Sequence, residues 1–240
     1  EQSSDNLFRI QITLSPEITH PMSSQIPALL LPLACLPDIE FFCLLHHTPK
    51  AILEIHETYP KQTCRNRYRI ATANGTQSLS IPVIKPMGNH TSTTAVSIDF
   101  SENWNRIHWR AIESAYNKSP FFLYYRDDFE RIFMNPPELL VDFNLEILNL
   151  CMKSLKFKPD FSLSDGYIRM PDNMTDLRNS IMPKHPVVHD YMIRKFKPYT
   201  QVFSDRHEFI PNLSIIDLLF NLGPEAVDYL KMHVPGMNPL

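Results

Sequence analysis

The chain has 240 residues, 43% hydrophobic and 20% charged, with a formal net charge of −3. A chain of this length buries roughly 70% of the surface its unfolded form exposes, so it needs no disulfide or structural metal to fold. The near-neutral charge argues against a general nucleic-acid binder, and only 5 glycines against 21 prolines leave no glycine-rich phosphate loop, so an anion would have to be held by a local patch of Arg and Lys.

Residues 1–25 are polar and without period and read as an N-terminal extension; residues 26–240 read as a single α/β domain. The extension lacks the apolar stretch of a signal peptide. The longest apolar run, "IPALLLPLACLP", is interrupted by prolines and too short to cross a bilayer, which predicts a cytoplasmic protein with no membrane span. Ala28–Leu33 predicts a strand buried on both faces. "PDIEFFCLLHH" predicts a helix with Pro37 at its start, and Ala51–Ile55 a second buried strand. Strand, helix, strand is a crossover unit, which favours parallel pairing. Two extended runs then flank Asn74-Gly75, a strong hairpin signal, and Ala95–Phe100 predicts a further strand.

From Ser101, read as an N-cap, three helical patterns follow: "SENWNRIHWRAIESAYNK", "PFFLYYRDDFERIFM", and the longest, "PELLVDFNLEILNLCMKSLKF". Lys158 to Tyr199 is non-periodic and rich in Asp, Pro, Met and His. An unpatterned stretch of that length in a compact domain points to a functional or partner-bound loop, and its part from Asp165 to Tyr199 is expected to cover or border the site. "PNLSIIDLLFNLGPEAVDYLKM" predicts two short helices broken at Gly223-Pro224. The expected fold is a single α/β domain: a mixed β-sheet from the N-terminal half, packed against several α-helices.

The densest polar chemistry is "HETYPKQTCRNRYRI", His56 to Ile70. It leaves a buried strand at its carboxyl end, where ligands gather in open α/β sheets. Lys61, Arg65 and Arg67 suit an anion, since arginine offers a planar donor fork and lysine a mobile charge. Gln62 and Asn66 can orient hydroxyls, and Tyr59 adds a phenol and a stacking face. Glu57 and His56 are the candidate acid–base groups. Arg178, in "DLRN" on the long loop, is a candidate substrate clamp. The competing reading is a solvated basic strand face with Glu57 as a counter-ion. Two function classes follow: an enzyme acting on an anionic, hydroxyl-rich substrate such as a nucleotide sugar, or a module that binds the same small ligand without chemistry.

Other groups carry less. Cys64 lies beside Lys61 and Arg65, which would lower a thiol pKa. Cys35, Cys43 and Cys151 read as core residues, and the four cysteines form no zinc-ligand spacing. His108 with Arg110 and Glu113 reads as ordinary helix surface chemistry. His207, Ser214 and Asp217 are triad types without the strained turn that exposes a serine nucleophile, and Asn212 reads as a helix N-cap. His46 and His47 adjoin, and His185 and His189 are separated by Pro186, so no metal site is expected. The sequence leaves the cofactor open, the use of ATP included.

"LPLACLPDIEFFCLL", "HETYPKQTCRNRYRI", "NWNRIHWRAIESAYNKSPFFLYYRDDFE" and "FIPNLSIIDLLFNLGPEAVDYL", in that order, resemble the WbqC-like family of bacterial proteins. The resemblance runs from Leu30 to Leu230. It implies modification of activated sugars in cell-surface polysaccharide (O-antigen) biosynthesis, such as transfer of an amino acid or acyl group to an amino sugar. This chain differs from the longer family pattern at Leu31-Pro32, where a Gln-Pro turn is expected, and between Asp165 and Tyr199, where an additional strand–helix unit is absent.

Overall fold

The structure, a computed structural model, describes residues 27–180 and 196–233. The expected N-terminal extension and the pair His185 and His189 lie outside the described residues. Strand β1 (Ala28–Pro32) is almost wholly buried, as its continuous apolar run requires. Helix α1 (Ile39–His47) begins at Asp38, whose side chain accepts from the Phe41 N–H at 3.1 Å. Strand β2 (Ala51–Glu54) returns parallel to β1, in register from Leu29↔Ala51 to Pro32↔Glu54.

Strands β3 (Arg67–Thr72) and β4 (Gly75–Ser80) form a hairpin that closes on the pair Thr72↔Gly75. The turn residues are therefore Ala73-Asn74, one position earlier than the sequence implies, with Gly75 at φ +94. The expected strand over Ala95–Phe100 shrinks to β6 (Ser97–Ile98), paired with β5 (Val83–Ile84). Three helices follow, α2 (Trp104–Tyr116), α3 (Phe122–Met134) and α4 (Leu140–Ser154), the last being the longest of the three. The Ser101 N–H is taken by Asp99 Oδ1 at 2.9 Å, and α2 starts after Asn103 instead. Strands β7 (Phe161–Leu163) and β8 (Met174–Asp176) precede α5 (Ile215–Leu222) and α6 (Ala226–Met232).

The α/β class stands, but the make-up of the sheet differs from expectation. The main sheet is wholly parallel, in the order β7-β2-β1-β8. Half of its strands come from the stretch read as loop. A three-residue strand is too short to show a period, and β7 and β8 are only partly buried edge strands, so neither leaves an apolar run. The hairpin strands β3–β6 pair among themselves and do not join it.

Helix α5 runs through the core, with Ile215 to Asn221 all buried. Its Phe220 ring meets Tyr116, Phe122, Tyr125 and Phe129 at centroid separations of 5.3–6.4 Å. Aromatic pairs at such distances add to the area they bury. Among the described residues, no helix is long and apolar enough to cross a membrane.

Candidate functional site

The parallel strands deliver their carboxyl ends to one edge, and a single side chain ties three of them together. Glu54, the last residue of β2, is fully buried. Its Oε1 accepts from the His56 N–H at 2.8 Å and from Ser164 Oγ, just past β7, at 2.9 Å. Its Oε2 accepts from the Ile168 N–H at 2.9 Å and from Arg178 Nη1, just past β8, at 3.3 Å. Arg178 also grips Asp176 through Nε at 3.0 Å and Nη2 at 2.7 Å, and donates to the Ile168 carbonyl at 2.6 Å. Its guanidinium lies 5.5 Å from the Tyr167 ring centroid. A buried carboxylate is tolerated only when paired and hydrogen-bonded, and Glu54 meets both conditions. Sequence reading passed it over. Its one signal is a carboxylate closing an otherwise apolar strand.

A second buried pair lies beside the first. Arg65 is fully buried. Its Nε donates to Glu57 Oε1 at 2.8 Å, its Nη2 donates to the same oxygen, and its Nη1 donates to Thr63 Oγ1 at 2.6 Å. Thr63 also accepts from the Arg65 N–H at 3.1 Å, capping the single turn Cys64–Asn66. The Arg65 carbonyl accepts from Asn144 Nδ2 of α4 at 2.8 Å. Burial raises the Glu57 pKa above the ordinary carboxylate value; Arg65 and Arg178 pull it down and Glu54 pushes it up. Glu57 Oε2 takes no hydrogen bond from the described residues.

The basic stretch thus separates into three environments. Arg65 and Glu57 are inside and engaged with each other. Lys61 and Gln62 are exposed, Gln62 in the left-handed region at φ +51. Arg67 is half-buried, with Nε donating to Ser80 Oγ at 2.7 Å, and it lines a small crevice of about 50 Å³ between the chain leaving β1 and the start of β3. Asp38, Cys64, Arg69 and Ser214 share that lining, and Arg65 and Lys61 do not. Asn66 uses its side-chain amide on the Ile81 carbonyl at 2.8 Å, as a loop brace. Half-buried His56 contributes its backbone N–H to Glu54. Tyr59 is buried, its N–H on the Thr91 carbonyl and its hydroxyl without a protein partner among the described residues; burial pushes its phenol pKa up.

Beside the crevice lies a cluster that sequence reading assigned elsewhere. Asn212, at φ +52, caps α1 and not α5. Its Oδ1 accepts from the Glu40 N–H at 2.8 Å, and its Nδ2 donates to Asp38 and to Glu40, each at 3.2 Å. Its carbonyl accepts from Arg69 Nη2 at 2.9 Å. Burial, and then the charge on Asp38, push the Glu40 carboxyl up to about 9. The N-cap of α5 is Ser214. Residues 38, 69 and 212 are brought together only by the tertiary fold, so no local spacing announces them.

The remaining candidates resolve into structural roles. Cys64 is buried, and desolvation lifts its thiol to about 11 despite Arg65, so it is protonated at neutral pH and does not serve as a nucleophile. His108 is a buried ring against the Tyr68 hydroxyl at 3.1 Å and the edge of Trp104, and burial lowers its pKa to about 4. Glu113 pairs with Arg126 at 3.1 Å, not Arg110. His207 contacts the Thr72 carbonyl at 2.9 Å, and Asp217 accepts from Tyr199 Oη at 2.5 Å and Gln201 Nε2 at 2.9 Å. Ser214 Oγ has no protein partner among the described residues, so Ser214, His207 and Asp217 do not form a relay. No group of three or more His, Cys, Asp and Glu among the described residues could hold a metal ion.

Comparison with known proteins gives one family. The WbqC-like protein family matches residues 34–192 and 184–229. The chain is similar to an uncharacterised protein, Rv1507c, of Mycobacterium tuberculosis (strain ATCC 25618 / H37Rv). The two are 26% identical over 215 residues, covering 80% of this chain and 91% of the relative. No solved structure matches significantly.

Proposed function

We propose, from the premise that the chain belongs to the WbqC-like protein family, that it is a cytoplasmic transferase acting on an anionic or nucleotide-linked sugar at the carboxyl edge of its parallel sheet. The observation that carries this reading is the half-used Glu57 carboxyl. Arg65 fixes Oε1, while Oε2 has no protein donor among the described residues and the side chain is 11% exposed. A carboxyl held in one orientation with its pKa raised by burial is suited to proton transfer. Arg67 and Arg69 line the neighbouring crevice and are the groups that would meet an anion. Exposed Lys61 and Gln62, half-buried His56 and the buried Tyr59 hydroxyl are the further polar groups of this stretch, His56 as an alternative acid–base group. Arg65, Asn66 and Arg178 position the site and do not contact the ligand directly. The acceptor chemistry that family resemblance favours is aminoacyl or acyl transfer to an amino sugar in surface polysaccharide biosynthesis.

A second reading is a binding module without chemistry, favoured by the ion pair that already neutralises Glu57. Titration calorimetry and a turnover assay against a panel of nucleotide sugars separate the two. For the transferase, Arg67→Ala weakens binding roughly ten- to a hundredfold, as loss of a charge-assisted hydrogen bond would. Glu57→Gln keeps affinity and loses turnover. A module shows the first effect with no turnover to lose, and equal affinities in parent and both variants would sink the site.

A further inference from the structure

At the opposite, amino edge of the sheet lies a groove of about 800 Å³ that the proposed chemistry does not use. Its basic rim comes from Lys153, Lys156, Lys158 and Lys231, all exposed. Its floor is aromatic: the His46 and Phe157 rings stack at 5.2 Å and 17°, and the Tyr124 ring, 80% exposed, stands edge-on to Tyr125 at 4.8 Å. Lys231 is paired with Asp228 at 2.7 Å, and the lining carboxylate Asp128 faces Arg131 at 3.4 Å. Lys153, Lys156 and Lys158 have no ion pair among the described residues. Three unpaired lysines thus crowd into six residues of a chain whose net charge is negative.

The backbone that presents them is specific. Helix α4 ends with the Phe157 N–H on the Met152 carbonyl at 3.0 Å and the Lys156 N–H on the Lys153 carbonyl at 3.1 Å. That is the double hydrogen bond of a Schellman cap, whose left-handed position is normally glycine. Here it is Lys156, at φ +51. A lysine held where glycine would cost less is strain that the cap does not need. It puts a cation on the rim next to the ring of Phe157.

We propose that this groove is a nucleotide-binding site, with the base on the exposed tyrosine and the phosphates on the three unpaired lysines. Its volume is in the range of small-molecule sites. A sequence-tolerant base stacks on any exposed aromatic ring, and lysine ammonium groups are compact, mobile partners for phosphate. Partial burial, and then His47 and Lys231 beside it, lower the His46 pKa below the ordinary imidazole value, and its ring stacks on Phe157. The small number of cations fits a mononucleotide and not a nucleic-acid strand, which would need an extended basic track.

Titration calorimetry with ADP, UDP and inorganic pyrophosphate tests the site on the full chain. The expected result is saturable binding of ADP or UDP that is tighter than pyrophosphate and weakens as salt rises. Lys156→Gly is the decisive variant: it relieves the left-handed strain, so the melting temperature holds or rises, while affinity falls roughly tenfold for one lost charge-assisted contact. Tyr124→Ala should remove the preference for nucleotide over pyrophosphate. Absence of binding at millimolar nucleotide, or equal affinity in Lys156→Gly, overturns the proposal. Nucleotide binding abolished by Arg67→Ala and untouched by Lys156→Gly assigns the nucleotide to the carboxyl-edge crevice and overturns it too.

Discussion

Glu40 sits on the first turn of α1, out of water and sharing the Asn212 amide with Asp38. Its carboxyl ionises ordinarily near 4.5 and in the fold near 9, because burial and then Asp38 oppose its charge, while Asn212 and Arg69 favour it. Between those values the folded chain holds a proton that the unfolded chain has lost, so stability falls as pH rises. The contribution is complete below 4.5, declines toward 9 and is then level. Asp38, also raised by burial, adds a slope of the same sign. Glu40→Gln removes the Glu40 part. Urea unfolding of parent and variant at about pH 5 and about pH 8 should show the stability difference moving in the variant's favour at the higher pH; parallel losses in the two proteins would refute the assignment. No local spacing announces this cluster: Asp38 is the N-cap of α1 and Glu40 a first-turn acid, both favourable near a helix N-terminus, and Asn212, which bonds to both, lies 172 residues from Glu40. The Arg65 environment was hidden for the same reason. Arginine in a basic stretch reads as exposed, whereas here Glu57 and Thr63 take its donors inside the protein.

At the scale of elements, legibility followed length. Helices α1 to α4 and the parallel β1–β2 pair carry periodic or continuous apolar runs, and all were evident in the sequence. Strands β7 and β8 have three residues each and are held at the sheet edges by ladder bonds and the Glu54 network, which no local window contains. The break between α5 and α6 was visible as Gly223-Pro224, and the structure supplies its physical basis. Gly223 has φ +55, and a Cβ there would lie 2.5 Å from the Phe121 ring. Phe121 is itself pinned by its N–H on the Phe220 carbonyl at 3.0 Å. Gly223→Ala therefore combines left-handed strain with overpacking, and the expected destabilisation is about 2–4 kcal/mol. Thermal or urea unfolding measures it. A change below about 0.5 kcal/mol, the range of an unconstrained surface site, would mean that the ring moves aside freely.

At the scale of the whole molecule, the charge network joins distant parts of the chain. Glu54 and Arg178 are 124 residues apart, yet their contact closes the carboxyl edge of a sheet whose inner strands form early in the sequence and whose outer strands form late. The long stretch was expected to border the site with Arg178 facing it; Arg178 does reach that edge, but as an internal counter-ion whose side chain is 6% exposed. Arg178→Ala leaves the Glu54 charge buried with no cation, and loss of one partner of a buried pair costs about 3–5 kcal/mol. If residues 26–240 fold as a single domain, that loss is felt everywhere at once. Fluorescence of Trp104 and Trp109, both on α2, and far-ultraviolet circular dichroism should shift to lower urea together, as a single transition requires. Glu54→Gln combined with Arg178→Met removes both charges, and it should be less destabilised than Arg178→Ala, because the cost lies in the stranded carboxylate more than in the lost attraction. Separate transitions for the two probes would divide the chain into independently folding parts. A double variant no more stable than Arg178→Ala would instead mean that the packing of Arg178 against Tyr167 and Ile168 outweighs its charge.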